Sequence, residues 1–132
     1  MSFSNTKEKR KESISIRFLI ESNRQRLQLT PLTGEIGFTK VIKDKNVHRP
    51  GLALAGYVQL FRYDRVQIFG NTEMRYLDQL DPGGREKALK TIFQFDVPCV
   101  VVTGNNVVDE SFLGIARENN VPVLQTPLET TK

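Results

Sequence analysis

The segment 46–57 reads Asn-Val-His-Arg-Pro-Gly-Leu-Ala-Leu-Ala-Gly-Tyr and is denser in polar and special residues than packing alone requires. His48 is the only histidine of the chain, so a metal site with two histidine ligands is excluded and proton transfer would depend on one imidazole. A lone histidine in such a setting usually has a structural role. Arginine beside an aromatic residue is typical of protein interfaces. We therefore predict an interaction surface formed by Asn46, His48, Arg49 and Tyr57.

A second polar cluster, Thr103-Gly104-Asn105-Asn106, follows an apolar run and precedes a helical pattern. Open α/β sheets bind ligands at the carboxyl ends of their strands, and the amides at a helix start favour anions. The four residues Thr103, Gly104, Asn105 and Asn106 are therefore a candidate anion or ligand loop. An ordinary turn between strand and helix is the alternative.

Motifs for nucleotide chemistry are absent from the sequence. A P-loop needs two glycines five positions apart followed by Lys and Ser or Thr, because backbone amides wrap the phosphates while the lysine reaches them. Gly51 and Gly56 are the only pair with that spacing, and Tyr57 follows them. Neither a dinucleotide fingerprint nor a Gly-x-Ser-x-Gly elbow occurs. We predict no catalytic residue, no cofactor and no metal site in this chain.

Charge and cysteine content further limit the possible functions of the chain. The net charge of +4 is concentrated at one end, since residues 1–26 hold seven basic and three acidic side chains and the remainder holds twelve of each. Residues 1–12 therefore form a basic arm, and the lack of interleaved aromatic residues there argues against nucleic-acid binding. Cys99 lies in an apolar run, which predicts a buried core residue. No run of apolar residues long enough to span a bilayer occurs, and we expect a cytoplasmic protein.

The elements that would position these residues alternate between strand and helix patterns. The apolar run 99–102, a helix over 109–119 and a strand over 121–124 predict a parallel βαβ unit at the carboxyl end. The earlier part predicts a strand at 13–16, a helix over 17–25, two strands within 26–42 joined by a turn, one helical turn at 52–55, a strand at 65–70 and helices after 71 and over 84–95. The fold class is thus α/β, a small layered domain with a mostly parallel sheet.

Four segments follow one another along the chain: 46–56, 65–70 with Glu73 after it, 97–103 and 120–124. Their order resembles the amino-terminal domain of bacterial HPr kinase/phosphorylase. The resemblance runs from about residue 13 to the end, and its most specific portion is 48–57 followed by the strand at Arg65. The family's amino-terminal domain is similar in fold to those of certain peptidoglycan-precursor ligases, which leaves a small-molecule or protein-contact role open. The family commonly has asparagine at the position of His48.

The resemblance implies a bifunctional enzyme that phosphorylates a serine of the phosphocarrier protein HPr and removes the phosphate by phosphorolysis, and so controls carbon catabolite repression. In that family the P-loop and the catalytic acid belong to a second, carboxyl-terminal domain, so ATP and Mg are implied for the parent enzyme only. Homo-oligomerisation is likewise implied for the full-length protein. Residues 13–125 would then be a non-catalytic regulatory or assembly domain, and 126–132 would begin the linker to a kinase domain.

Two other classes of function remain open. The chain could be a stand-alone sensor that binds a nucleotide or phosphorylated metabolite near residues 104–106. It could also be an adaptor that uses the 46–57 segment as a contact surface. Both alternatives predict binding without catalysis.

Overall fold

The computed structural model describes residues 13–129, so the predicted basic arm lies outside the described residues. A five-stranded sheet has the order β2-β7-β6-β5-β4, and β1 and β3 form a separate two-stranded ribbon. The α/β class is confirmed. The strands are β1 (Ile14–Ser15), β2 (Thr30–Pro31), β3 (Val41–Ile42), β4 (Val47–His48), β5 (Val66–Phe69), β6 (Val100–Val102) and β7 (Val123–Gln125). The helices are α1 (Ile16–Ser22), α2 (Arg24–Leu27), α3 (Gly51–Leu54), α4 (Asn71–Asp78), α5 (Pro82–Phe93) and α6 (Glu110–Glu118).

The strands β4 to β7 run parallel to one another, and only β2 joins the sheet antiparallel, along β7. The predicted βαβ unit is confirmed by β6, α6 and β7, because Val101 pairs in parallel with Leu124. Every residue of β5 and β6 is buried. A strand buried on both faces needs a continuous apolar run, and the run at 99–102 meets that need.

Two separate cores cover the two faces of the sheet. Val101 and Ile68 pack with α1 and the ribbon, whereas Val102 and Phe69 pack with α3, α4, α5 and α6. Cys99 belongs to the first of these cores and is fully buried, which confirms its predicted structural role. Of the described helices, none combines the length and the apolar character that a membrane crossing requires.

The prediction of two strands joined by a turn within 26–42 is wrong. Residues 26 and 27 end α2, Thr30 pairs with Gln125 of β7, and Val41 pairs with Ser15 of β1. Each strand therefore finds its partner elsewhere in the chain. The polar–apolar alternation of 26–30 also fits a helix end, since Leu27 is buried and Gln28 takes the left-handed conformation that closes α2.

Two helices begin at aspartate caps. The carboxylate of Asp81 accepts a hydrogen bond from the amide of Gly84 at 2.7 Å, with Pro82 in the first turn, so α5 begins two residues before the predicted position. Asp109 caps α6 in the same way, through the amide of Phe112. Aspartate is a favoured residue at the start of a helix, so the sequence already indicated Asp109 as this cap.

Lys40 links the ribbon to the sheet through hydrogen bonds and an ion pair. Its ammonium donates to the backbone carbonyl of Val97, in the loop before β6, and to that of Asn120, in the loop after α6. It also lies 3.2 Å from a carboxylate oxygen of Asp96. The lysine side chain is 15% exposed. The small ribbon is thus held by hydrogen bonds as well as by its apolar residues.

Gly37 offers a test of how tightly this region is packed. A Cβ at Gly37 would lie 2.8 Å from the ring of Pro122, whereas a Cβ at Gly34 would meet nothing within 4 Å, and both glycines have a positive φ. We expect Gly34→Ala to lower the free energy of unfolding by about 1 kcal/mol through backbone strain alone. Gly37→Ala should cost about 1–3 kcal/mol more because of the collision. Urea unfolding of the two variants gives the difference, and equal losses would contradict the contact with Pro122.

Candidate functional site

Three parallel strands end at the same edge of the sheet. Arg49 follows β4, Gly70 follows β5 and Thr103 follows β6. A cleft of about 180 Å³ at this edge is lined by Arg49, Asn71, Thr72, Thr103 and Glu129. One member of the predicted interaction surface and one member of the predicted ligand loop therefore meet at a single cleft.

Beside this cleft, the exposed guanidinium of Arg49 forms an ion pair with the buried carboxylate of Glu73. The carboxylate oxygen Oε1 of Glu73 accepts from the amide of Gly70 at 2.8 Å and from Nη2 of Arg49 at 3.1 Å. Glu73 is only 3% exposed, and a buried carboxylate is tolerated when it is paired and hydrogen-bonded. The sequence indicated that Glu73 favours a helix start, but not that it holds the arginine.

Gly70 makes room for this arginine. A Cβ at Gly70 would lie 2.6 Å from Nη2 of Arg49 and 3.4 Å from Oγ1 of Thr103. Gly70 is also the N-cap of α4, in place of the predicted Asn71 or Thr72. The cap differs because Glu73 reaches back from inside the helix to the Gly70 amide, which is one half of a capping box.

The backbone amides of the predicted ligand loop are engaged by the chain itself. Gly104 donates to the carbonyl of Leu128 at 2.8 Å, Asn105 to that of Thr126 at 3.2 Å and Asn106 to that of Thr103 at 3.2 Å. The first two of these bonds hold residues 126–129 against the sheet edge, and the third closes the loop on itself. The anion role of the loop stays a prediction, and these three amides are already committed to other acceptors.

Side chains complete the attachment of the loop. Nδ2 of Asn106 donates to Oδ1 of Asn71 at 2.9 Å and to the Thr103 carbonyl at 2.7 Å, and Nε2 of Gln125 donates to the Asn106 carbonyl at 2.8 Å. Gly104 and Asn105 both have positive φ, which glycine and asparagine adopt more readily than other residues. The residue types of the loop are thus explained by its backbone.

The hydroxyl of Thr103 differs from the other polar groups of the loop. Thr103 is 2% exposed and lines the cleft. Across residues 13–129, no side-chain hydrogen bond is formed by its Oγ1. The sequence could indicate this position but not the orientation of its side chain.

The remaining members of the predicted interaction surface lie outside the cleft. His48 is in β4, opposite Gln67, and its ring centroid lies 5.6 Å from that of Phe61. Asn46 is exposed, and its amide donates to Asp44 at 2.9 Å. Tyr57 is exposed after α3. The contact role of these residues stays a prediction, and the structure does not bring them to the cleft.

Titratable groups near the sheet are explained by their surroundings. Burial lowers the pKa of His48, and the positive charges of Arg65 and Arg62 lower this pKa further. Burial raises the pKa of Cys99 to about 12, so its thiol stays protonated and unreactive. Between residues 13 and 129, no three His, Cys, Asp or Glu side chains are grouped so that they could hold a metal ion.

Comparison with known proteins decides the family. A family profile described as the HPr Serine kinase N terminus matches residues 14–132. The chain belongs to this family. The resemblance of segments 46–56, 65–70, 97–103 and 120–124 is thereby confirmed.

Curated relatives in the HPr kinase family are longer than this chain. A protein named HPr kinase/phosphorylase from Chloroherpeton thalassium is 39% identical over 125 residues, which cover 93% of this chain and 37% of the relative. Another of that name from Chlorobium phaeobacteroides (strain BS1) is 47% identical over 91 residues, 69% of this chain and 27% of the relative. The chain thus spans about a third of the length of these relatives.

A solved structure supports the fold of this HPr kinase family member. It contains the CBS and DRTGG domains of the regulatory region of Clostridium perfringens pyrophosphatase, in complex with the activator diadenosine tetraphosphate. The TM-score is 0.58 at 16% identity, over 84% of this chain and 42% of that chain. This likeness concerns the fold alone.

The contact between Gly70 and Arg49 can be tested with a double-mutant cycle. Gly70→Ala should displace the guanidinium from Glu73, because the added methyl would occupy the place of Nη2. Leaving a buried carboxylate without its partner should cost about 1–3 kcal/mol of unfolding free energy. In an Arg49→Gln background the same change should cost much less, as measured by urea unfolding. Additive effects would show that Gly70→Ala acts through the backbone rather than through Arg49.

His48 gives a pH test. Its pKa in the folded chain lies below the unfolded value of about 6.5, so protonation favours the unfolded state. The contribution of the neutral imidazole is fully present above that unfolded value and is lost as the pH falls towards the lower folded pKa. We expect His48→Asn to reduce the fall in stability between about pH 7.5 and about pH 5.5. Urea unfolding at several pH values checks this, and an unchanged pH profile would contradict it.

Proposed function

We propose that this chain is the non-catalytic, regulatory or assembly domain at the amino terminus of a bifunctional HPr serine kinase/phosphorylase. The observation that carries the proposal is the family match over residues 14–132, together with the much greater length of the relatives named HPr kinase/phosphorylase. The absence of a P-loop from the 132 residues fits a division of labour in which ATP and Mg bind to another domain.

The proposal implies a substrate, an oligomeric state and a cellular location for the parent enzyme. HPr would be the substrate of the parent enzyme, as the name of the relatives implies. The parent would be a cytoplasmic homo-oligomer that controls carbon catabolite repression or related phosphotransferase signalling. None of these roles requires a catalytic group in the described domain.

The attachment of residues 126–129 supports a regulatory or assembly role. Two amides of the 103–106 loop hold this segment beside the cleft, at Thr126 and Leu128. A conformational change at the sheet edge would therefore alter the position of residues 126–129, which lead towards residue 132. Hydrogen-bond networks of this kind can couple a surface to a neighbouring part of the chain.

A second candidate function is a stand-alone ligand sensor or adaptor. The cleft at the carboxyl ends of β4, β5 and β6 favours this reading, because open α/β sheets commonly bind ligands there. Sequencing of the source gene beyond the codon for Lys132 separates the two candidates. A downstream P-loop supports the kinase parent, and a stop codon supports the stand-alone sensor.

Domain exchange tests the proposed function directly. The matching part of the Chloroherpeton thalassium relative is replaced by residues 14–132 of this chain, and HPr phosphorylation and oligomeric state are measured. We expect the chimera to phosphorylate HPr and to assemble as the unaltered relative does. The 132-residue chain alone should transfer no phosphate to HPr.

Two controls sharpen this experiment. The relative without its amino-terminal part should differ from the unaltered enzyme in assembly or in regulation. The chimera with Gly37→Ala shows how a destabilised domain affects HPr phosphorylation and oligomeric state. Phosphorylation of HPr by the isolated chain, or a truncated relative identical in every respect to the intact one, would refute the proposed role.

A further inference from the structure

The hydroxyl of Thr103 is the starting point. This hydroxyl is not among the enclosed side-chain atoms that lack a hydrogen-bond partner, so it opens onto the cleft. Thr103 is 2% exposed, lines the cleft and forms no side-chain hydrogen bond within the described residues 13–129. The hydroxyl is therefore available to a group that enters the cleft.

Groups that can donate hydrogen bonds surround this hydroxyl. Nη2 of Arg49 and Oγ1 of Thr103 border the same space beside Gly70, at 2.6 Å and 3.4 Å from the position of a Cβ there. Asn71 and Thr72, the first two residues of α4, also line the cleft. Guanidinium groups and helix amino termini both attract oxyanions.

The size of the cleft limits the ligand. Its volume is about 180 Å³. Sites for drug-sized molecules are larger, at about 300–1,000 Å³. The cleft therefore accepts one small group rather than a complete nucleotide.

Glu129 supplies the opposing charge. Its side chain lines the cleft, and its Cγ lies 3.5 Å from the position of a Cβ on Gly104. The carboxylate of Glu73 is already balanced by Arg49, whereas an anion in the cleft would face the charge of Glu129 as well. An anion and the Glu129 carboxylate should therefore exclude one another.

We propose that this cleft binds a small oxyanion, the phosphate or carboxylate group of a ligand, in competition with the side chain of Glu129. The anion accepts hydrogen bonds from Thr103 and from the start of α4. Because Glu129 belongs to the segment held by Gly104 and Asn105, displacement of its side chain loosens residues 126–129. This regulatory meaning rests on the proposed function, whereas binding itself does not.

Binding is measured on the 132-residue chain by following its amide NMR signals during titration with inorganic phosphate at constant ionic strength. Saturable shifts should appear at Asn71, Thr72, Thr103 and Gly104. A parallel titration with acetate separates the two sources of the oxyanion, because tighter binding of phosphate indicates a phosphorylated ligand and tighter binding of acetate a carboxylate. The absence of saturable shifts with both anions overturns the proposal.

Two variants test the geometry of the site. Thr103→Val keeps the shape and burial of the side chain but removes the hydroxyl, and should weaken phosphate binding by about tenfold, the equivalent of one hydrogen bond to a charged group. Glu129→Gln removes the competing charge and should tighten binding by about threefold or more. Glu118→Gln, at the far end of α6, removes the same charge away from the cleft and is the matched control.

The outcomes separate the proposal from a general effect of charge. Unaltered binding by Thr103→Val, or equal tightening by Glu118→Gln and Glu129→Gln, overturns it. Thermal unfolding of each variant confirms that the fold is retained. Exchange of the Gly104 and Asn105 amides with solvent should become faster as phosphate binds, and unchanged exchange overturns the coupling to residues 126–129. All of these measurements use the isolated chain, so their failure is distinguishable from failure of the domain exchange.

Discussion

The complete burial of β5 and β6 is the constraint on which the remainder of the structure depends. Two neighbouring parallel strands with no exposed residue require a covering layer on each face, which the helices α3 to α6 and the α1–ribbon pair supply. Parallel strands also bring their carboxyl ends to one edge. The polar residues that follow β4, β5 and β6 therefore have no other place to meet, and the cleft is a consequence of the sheet.

Local patterns predicted the elements well where the physical signal was local. The apolar run that ends in β6, the proline in the first turn of α5 and the Asp109 cap of α6 all depend on neighbours within a few residues. The strands β2 and β3 were mispaired because each contains two residues and pairs with a distant segment. Short edge strands are chosen by tertiary packing, which periodicity does not contain.

The site was predictable in its parts but not in its assembly. Arg49 and Thr103 were assigned to two separate sets, and only the sheet order shows that they face one cleft. Glu73 was recognised as a residue that favours a helix start and Gly70 as the end of a strand, without their contact to the arginine. Nothing in the sequence indicated the structural role of Gln67. It is fully buried in β5, where its amide donates to the carbonyls of Arg62 and Arg65, a use of glutamine that sequence patterns do not reveal.

The burial of Cys99 makes the single thiol a natural reporter of the sheet. Thiol reagents attack the thiolate, and this thiol is both enclosed and held in its protonated form. Modification therefore requires the strands around β6 to separate, so the rate of labelling measures how often the centre of the domain opens. A cysteine introduced at the surface could carry a dye while the native residue stays silent. The wild-type chain is thus ready for site-specific spectroscopy without removal of its own sulfur.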